Sequence, residues 1–267
     1  MMSEGGYRYI YGPVSSWRLG RSLGVDPISV QEKICTFDCV YCQLGRTKNF
    51  SNERREFVQT KDVIREIKTA PWYSIDYITF SGSGEPTLAE NLGAMIKAVK
   101  KIRREKIAVI TNASLMNRGD VQRELSLADF VLVKLDAASE VSLQAINRPM
   151  ATTPPINFDS ILGGIKGFNS FYKCRLALQI MFSSLNEHQA AQIAQLAKEI
   201  GPDEIEINTP LRPCGVEPLS EAILDGIEDQ FRDICGAGIS IVNVYSAEKK
   251  KVSPISGPDT LRRRGKV

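Results

Sequence analysis

Ile107-Ala108-Val109-Ile110 and Phe130-Val131-Leu132-Val133 are apolar on consecutive residues, not on alternate ones. Strands of that pattern are covered on both faces, the condition of a parallel sheet wrapped by helices. Outward from them, further β-branched runs predict strands at 28–34, 75–80, 175–182, 204–208 and 239–244, alternating with helical patterns as βα units do. Residues 88–103 repeat Leu92, Met95, Ile96 and Val99 at helical spacing, and 187–200 repeat Ile193, Leu196, Ala197 and Ile200. Those faces meet the sheet, while Lys97, Lys100 and Lys101 point to water. The reading is one α/β domain whose strands form a barrel or an open parallel sheet, with no internal repeat and no low-complexity segment.

The chain has 267 residues, 43% of them apolar, and a formal charge of +3. A balance so close to neutral does not call for nucleic-acid binding. Arg262, Arg263, Arg264 and Lys266 concentrate positive charge at the C-terminus, and a solvated tail is the expectation there. The opening residues are polar, and no run approaches the ~18 apolar residues of a membrane span, so the expected compartment is the cytoplasm.

Of six cysteines, three fall in Cys35-Thr36-Phe37-Asp38-Cys39-Val40-Tyr41-Cys42, a C-x3-C-x2-C spacing placed directly after the first expected strand. Three thiolates so close can share one iron–sulfur cluster and leave one iron without a protein ligand. A structural zinc site wants four ligands, usually two pairs, and the one histidine, His188, lies far along the chain on a predicted helix. The spacing therefore favours iron–sulfur over zinc. Cys174, Cys214 and Cys235 are scattered and read as structural thiols.

C-x3-C-x2-C with Tyr41 before the third cysteine resembles the loop of the radical S-adenosylmethionine superfamily. Phe80-Ser81-Gly82-Ser83-Gly84-Glu85-Pro86-Thr87 is similar to the superfamily's glycine-rich turn for the methionine amino group, with Ser83 in place of the first glycine of the usual pair. A glycine turn lets backbone approach a ligand, and a carboxylate accepts hydrogen bonds from an ammonium. Thr111-Asn112-Ala113 and Lys134-Leu135-Asp136 stand at strand ends, where barrels place ligand contacts. Asn112 and Asp136 are candidates for ribose hydroxyls or for turn and cap roles. Lys134 is the candidate catalytic residue, facing a carboxylate or a substrate group.

Gln179, Met181 and Asn208 fall where related proteins place cofactor contacts. Gln179 and Met181 share one strand face, and either an internally satisfied glutamine or a ligand contact suits the first, either core or ligand the second. Arg18 and Arg21 are candidates for a carboxylate or phosphate, or for salt bridges.

The resemblance implies a parallel-stranded partial (β/α)6 TIM-type barrel over residues 26–245, the cluster loop following its first strand. Residues 1–25 are then an N-terminal extension packing on the barrel, and 246–267 a basic C-terminal tail. It implies a [4Fe–4S] cluster on Cys35, Cys39 and Cys42, and S-adenosylmethionine held by Tyr41, Gly82, Ser83, Gly84, Glu85, Asn112, Asp136, Gln179, Met181 and Asn208. Reductive cleavage then gives a 5′-deoxyadenosyl radical that takes hydrogen from a substrate.

An electron donor such as flavodoxin or ferredoxin is implied, with RNA, a protein or a small molecule as substrate, no membrane, and a monomer. The alternatives are a glycyl-radical-enzyme activase and a non-catalytic iron–sulfur redox protein. Phrases such as Tyr11-Gly12-Pro13-Val14 and Ile146-Asn147-Arg148-Pro149 resemble the group that includes the wyosine-forming tRNA enzyme and its short relatives. That enzyme carries a second cluster on upstream cysteines, whereas no cysteine precedes Cys35 here.

Overall fold

A computed structural model describes residues 6–71, 74–255 and 257–263. In chain order its elements are β1 (Ile10–Ser16), β2 (Gly20–Val25), β3 (Ile34–Cys35), β4 (Asn49–Phe50), α1 (Thr60–Thr69), β5 (Tyr77–Phe80), α2 (Leu92–Ile102), β6 (Lys106–Thr111), α3 (Gly119–Leu125) and β7 (Phe130–Lys134). There follow α4 (Glu140–Ile146), α5 (Phe158–Phe171), β8 (Arg175–Met181), α6 (Ala190–Ile200), β9 (Glu204–Asn208), α7 (Glu221–Cys235), β10 (Ser240–Asn243) and α8 (Gly257–Arg263).

The eight-stranded main sheet runs β1-β2-β5-β6-β7-β8-β9-β10, and every neighbouring pair is parallel except β1 with β2. It is the curled, mostly parallel α/β half-barrel that the motifs implied. The consecutive apolar runs behave as expected: Phe130, Val131, Leu132 and Val133 are all buried. In α2, Leu92, Met95, Ile96 and Val99 are fully covered, and Lys100 and Lys101 occupy the last turn, where cations favour the helix dipole. Capping boxes start α4 at Ser139 and α5 at Asn157, and Gly201 at φ 65° ends α6.

Two expectations are corrected. No strand of the main sheet occupies 28–34, where only Ile34 enters the short β3 paired with β4; the first parallel strand of the main sheet is β2, inside the segment expected to pack on the barrel as an extension, and β1 forms the antiparallel edge beside it. β2 lacks a β-branched signature because its interior demands small residues. A Cβ on Gly24 would sit 2.2 Å from the Tyr11 ring, and the Ser22 hydroxyl lies 2.7 Å from that of Thr79 on β5. Asp26 and Pro27 then end the strand.

Part of the segment expected as a basic C-terminal tail is docked on the sheet edge. Ile255 N–H donates to the Gly12 carbonyl, Gly12 N–H donates to buried Thr260 at 2.9 Å, and Lys250 lies 3.1 Å from Asp76. Ile255 and Thr260 thus return to β1, while Arg264 and Lys266 lie outside the described residues. No helix among the described residues is long and apolar enough to cross a membrane.

Candidate active site

The loop after β2 is tied down before it reaches the cysteines. Asp26, fully buried, accepts from the N–H groups of Ile28 at 3.1 Å and Ser29 at 2.9 Å, and from Ser83 through both N–H at 3.1 Å and hydroxyl at 2.6 Å. Ser83, the departure from the glycine pair, therefore uses its hydroxyl to join the strand exit to the glycine turn. Gly82, at φ 154°, has Asp26 where a Cβ would stand.

Gly84 is the tightest position: a Cβ there would lie 1.7 Å from the Ile34 carbonyl oxygen. Its absence lets the turn pair with the chain just before Cys35, Ile34 N–H donating to Ser83 O at 3.2 Å and Glu85 N–H to Ile34 O at 3.3 Å. Glu85 is buried, with Thr87 N–H, both threonine hydroxyls of Thr87 and Thr111, and Asn112 N–H donating to it. Burial raises its pKa against those donors.

The cysteine loop rests on the chain after α4. Asp38 N–H donates to Asn147 O at 3.0 Å, Val40 N–H to Ile146 O at 2.9 Å, and Arg148 Nε to Asp38 O at 2.8 Å. Two amides aim at sulfur: Asn112 Nδ2 lies 3.6 Å from Cys35 Sγ, and Asn147 Nδ2 lies 3.5 Å from Cys39 Sγ. Burial pushes the Cys35 thiol up to about 12 and the Cys39 thiol up to about 11.

All three thiols open onto one cavity of about 620 Å³ at the C-terminal ends of the parallel strands, a volume in the ~300–1,000 Å³ range of cofactor pockets. Of the other expected site residues, all but Ser83 and Asp136 line it. No group of three or more His, Cys, Asp or Glu among the described residues could hold one metal ion. A [4Fe–4S] cluster would suit this donor set, because each thiolate binds a different iron and metal coordination deprotonates a thiol that burial holds neutral.

Asp136 stands apart from the expected ribose contact. It is buried and takes the Tyr41 hydroxyl, Asn147 Nδ2 at 2.9 Å and Met181 N–H at 2.8 Å, with Lys134 Nζ 2.9 Å away. Its geometry braces Tyr41 under the cysteine loop. Lys134 also sits 4.9 Å from the Tyr41 ring centre, a cation–π contact.

Gln179 donates to Glu206 at 2.8 Å, so the glutamine is internally satisfied while still facing the cavity. Arg21 is a salt-bridge residue, paired with Asp76 at 2.9 Å, whereas Arg18 lines the cavity. Cys174, Cys214 and Cys235 are free thiols outside the cavity. Sequence reasoning missed Asp26, Asn147 and Glu206 as site residues. Asn147 lies in a quoted phrase and Glu206 in an expected strand, yet a lone Asp, Asn or Glu carries no spacing signal.

The Radical SAM superfamily model matches residues 33–197. Among similar proteins, a UPF0026 protein of Synechocystis is 44% identical over 209 residues, covering 76% of each chain. A UPF0026 protein of Methanocaldococcus jannaschii is 36% identical over 236 residues, covering 85% of this chain and 72% of that one. The fold resembles that of Streptococcus suis SuiB bound to S-adenosylmethionine, with TM-score 0.62 and 14% identity over 79% of this chain; the match spans about half of SuiB, 48%. The structure of anSMEcpe with bound AdoMet gives TM-score 0.58 at 18% identity, covering 82% of this chain and 63% of that one. With the family model spanning more than half of the chain and relatives well above 30% identity along most of it, the chain belongs to the Radical SAM superfamily, among the UPF0026 proteins.

Proposed function

We propose that the chain holds a [4Fe–4S] cluster on Cys35, Cys39 and Cys42, reductively cleaves S-adenosylmethionine beside it, and passes the radical to a substrate in the barrel. The observation that carries this reading is the bridge between Ile34 and Gly84, which welds the cysteine loop to the glycine turn in one wall of the cavity. When bound, the cluster supplies an electron that breaks the C5′–S bond of S-adenosylmethionine to give methionine and a 5′-deoxyadenosyl radical.

The remaining work falls to the protein's own groups. Gly82 and Gly84 keep backbone close to the cavity with no side chain in the way. Glu85, anchored by its four donors, holds the turn in shape and offers a negative field for an ammonium. Asn112 and Asn147 present N–H to sulfur, which stabilises thiolate charge and tunes a cluster's potential. Asn208 and Met181 bound the cavity at the ends of β9 and β8, and walls of this kind exclude the water that would quench a carbon radical.

In this reading an electron donor of the flavodoxin or ferredoxin type supplies the reducing equivalent. The test is spectroscopic: the dithionite-reduced, reconstituted protein should give an EPR signal that shifts on adding S-adenosylmethionine. A signal indifferent to S-adenosylmethionine would reduce the protein to an electron carrier.

A further inference from the structure

The parallel register puts Lys134, Gln179 and Glu206 side by side in one row across β7, β8 and β9. Lys134 and Gln179 line the cavity, and Arg18 reaches the same place from the turn between β1 and β2. Below this row the barrel is plugged by Leu19, Ala108, Phe130, Leu132 and Ala177, the usual filling of a small barrel. Above it lie the cysteine loop and the glycine turn. A polar layer between an apolar floor and a cofactor site is costly unless something answers it.

On the opposite wall the polar atoms answer one another: Tyr11 with Ser81 at 2.8 Å, Ser22 with Thr79 at 2.7 Å. On this wall they do not. Glu206 is fully buried, and Gln179 meets only its Oε2, leaving Oε1 without a hydrogen-bond partner. Arg18 Nε is likewise buried without a hydrogen bond, since its 3.9 Å approach to Glu206 is an attraction too long to be one. Lys134 Nζ lies 2.9 Å from Asp136 Oδ1, yet outside hydrogen-bond geometry.

We propose that this layer is the substrate subsite, and that it takes the head group of a free α-amino acid, carboxylate on Arg18 and Lys134, ammonium on Glu206. The chemistry selects that class. Arg18 and Lys134, the latter beside Asp136, offer donors for a carboxylate and the free Oε1 of Glu206 an acceptor for an ammonium, a match for a small zwitterion, whereas a phosphate would be repelled by Glu206 and a plain amine by Arg18 and Lys134. Burial, with the neighbouring Glu204 carboxyl, pushes the Glu206 carboxyl up to about 7 against the pull of Arg18 and the Gln179 hydrogen bond. The inference rests on the radical reading only for what happens after binding.

The experiment is calorimetric titration and thermal shift of the full-length, anaerobically reconstituted chain with each of the proteinogenic α-amino acids. For any that binds, its des-amino acid and its decarboxylated amine follow. Binding by at least one amino acid, weakened about 10- to 100-fold by Arg18→Gln and by Glu206→Gln and by loss of either end of the ligand, is expected. Arg18→Lys, which keeps the charge, should recover part of it. S-Adenosylmethionine binding and cleavage are measured on the same variants.

No response to any amino acid would overturn the proposal, as would binding indifferent to both variants. Loss of S-adenosylmethionine binding in the two variants would assign the layer to the cofactor and also overturn it. Amino-acid binding without 5′-deoxyadenosine formation would keep the subsite and sink the radical reading instead.

Discussion

Replacing Gly84 with alanine probes the junction between the glycine turn and the cysteine loop. The new Cβ would lie 1.7 Å from the Ile34 carbonyl oxygen and 2.8 Å from its carbon, backbone atoms that no rotamer change can move. Reaching the 3.0 Å floor of real Cβ contacts needs a displacement of 1.3 Å. That separation breaks Ile34 N–H to Ser83 O and Glu85 N–H to Ile34 O. Two hydrogen bonds at about 1 kcal/mol each, with the residual overlap, come to roughly 2–4 kcal/mol. For a protein of this size the melting temperature falls by roughly 5–15 °C.

Differential scanning calorimetry reads the shift, and iron content after reconstitution reads the damage to the loop. Gly163→Ala in α5 is the control, because nothing lies within 4 Å of its Cβ and a helical alanine is favoured. A Gly84→Ala protein that melts like Gly163→Ala and takes up full iron would refute the junction.

Three further outcomes follow from the same geometry. Cys39→Ala should lose both the iron–sulfur absorbance and S-adenosylmethionine cleavage, since each thiolate is a required ligand; absorbance retained in that variant contradicts the assignment. Asp136→Asn leaves Lys134 without its buried anion and should lower the unfolding free energy by roughly 3 kcal/mol in urea titrations. An unmoved midpoint would return Asp136 to a ligand role. Glu206, whose carboxyl is raised from its ordinary 4.5 to about 7, costs stability as it ionises, so the wild type loses stability on this account as pH rises between those values. The unfolding free energy of Glu206→Gln relative to wild type should therefore climb over that window and then level, and parallel pH curves would contradict it.

The half-barrel was legible because most of its strands are buried on both faces, and runs such as 107–110 and 130–133 leave no alternative pattern. β2 was not, because Gly20, Ser22 and Gly24 are small where Asp76, Thr79 and Tyr11 respectively stand close, so propensity points away from a strand that tertiary packing imposes. The return of the C-terminus was hidden behind its charges, since what anchors it is one backbone contact at Ile255 and one hydroxyl at Thr260. At the site, the three thiols stood out by their spacing and the glycine turn by its resemblance to the family's. Asp136 was not: the rule that polar strand ends face the mouth says nothing of a tyrosine and an asparagine drawing that carboxylate beneath the loop.

The central claim is that Cys35, Cys39 and Cys42 carry a cluster that cleaves S-adenosylmethionine. Its most direct test is chromatographic detection of 5′-deoxyadenosine after dithionite reduction of the anaerobically reconstituted protein with S-adenosylmethionine. The account predicts 5′-deoxyadenosine and methionine from wild type, and none from Cys39→Ala. An intact, reducible cluster that yields no 5′-deoxyadenosine would contradict it.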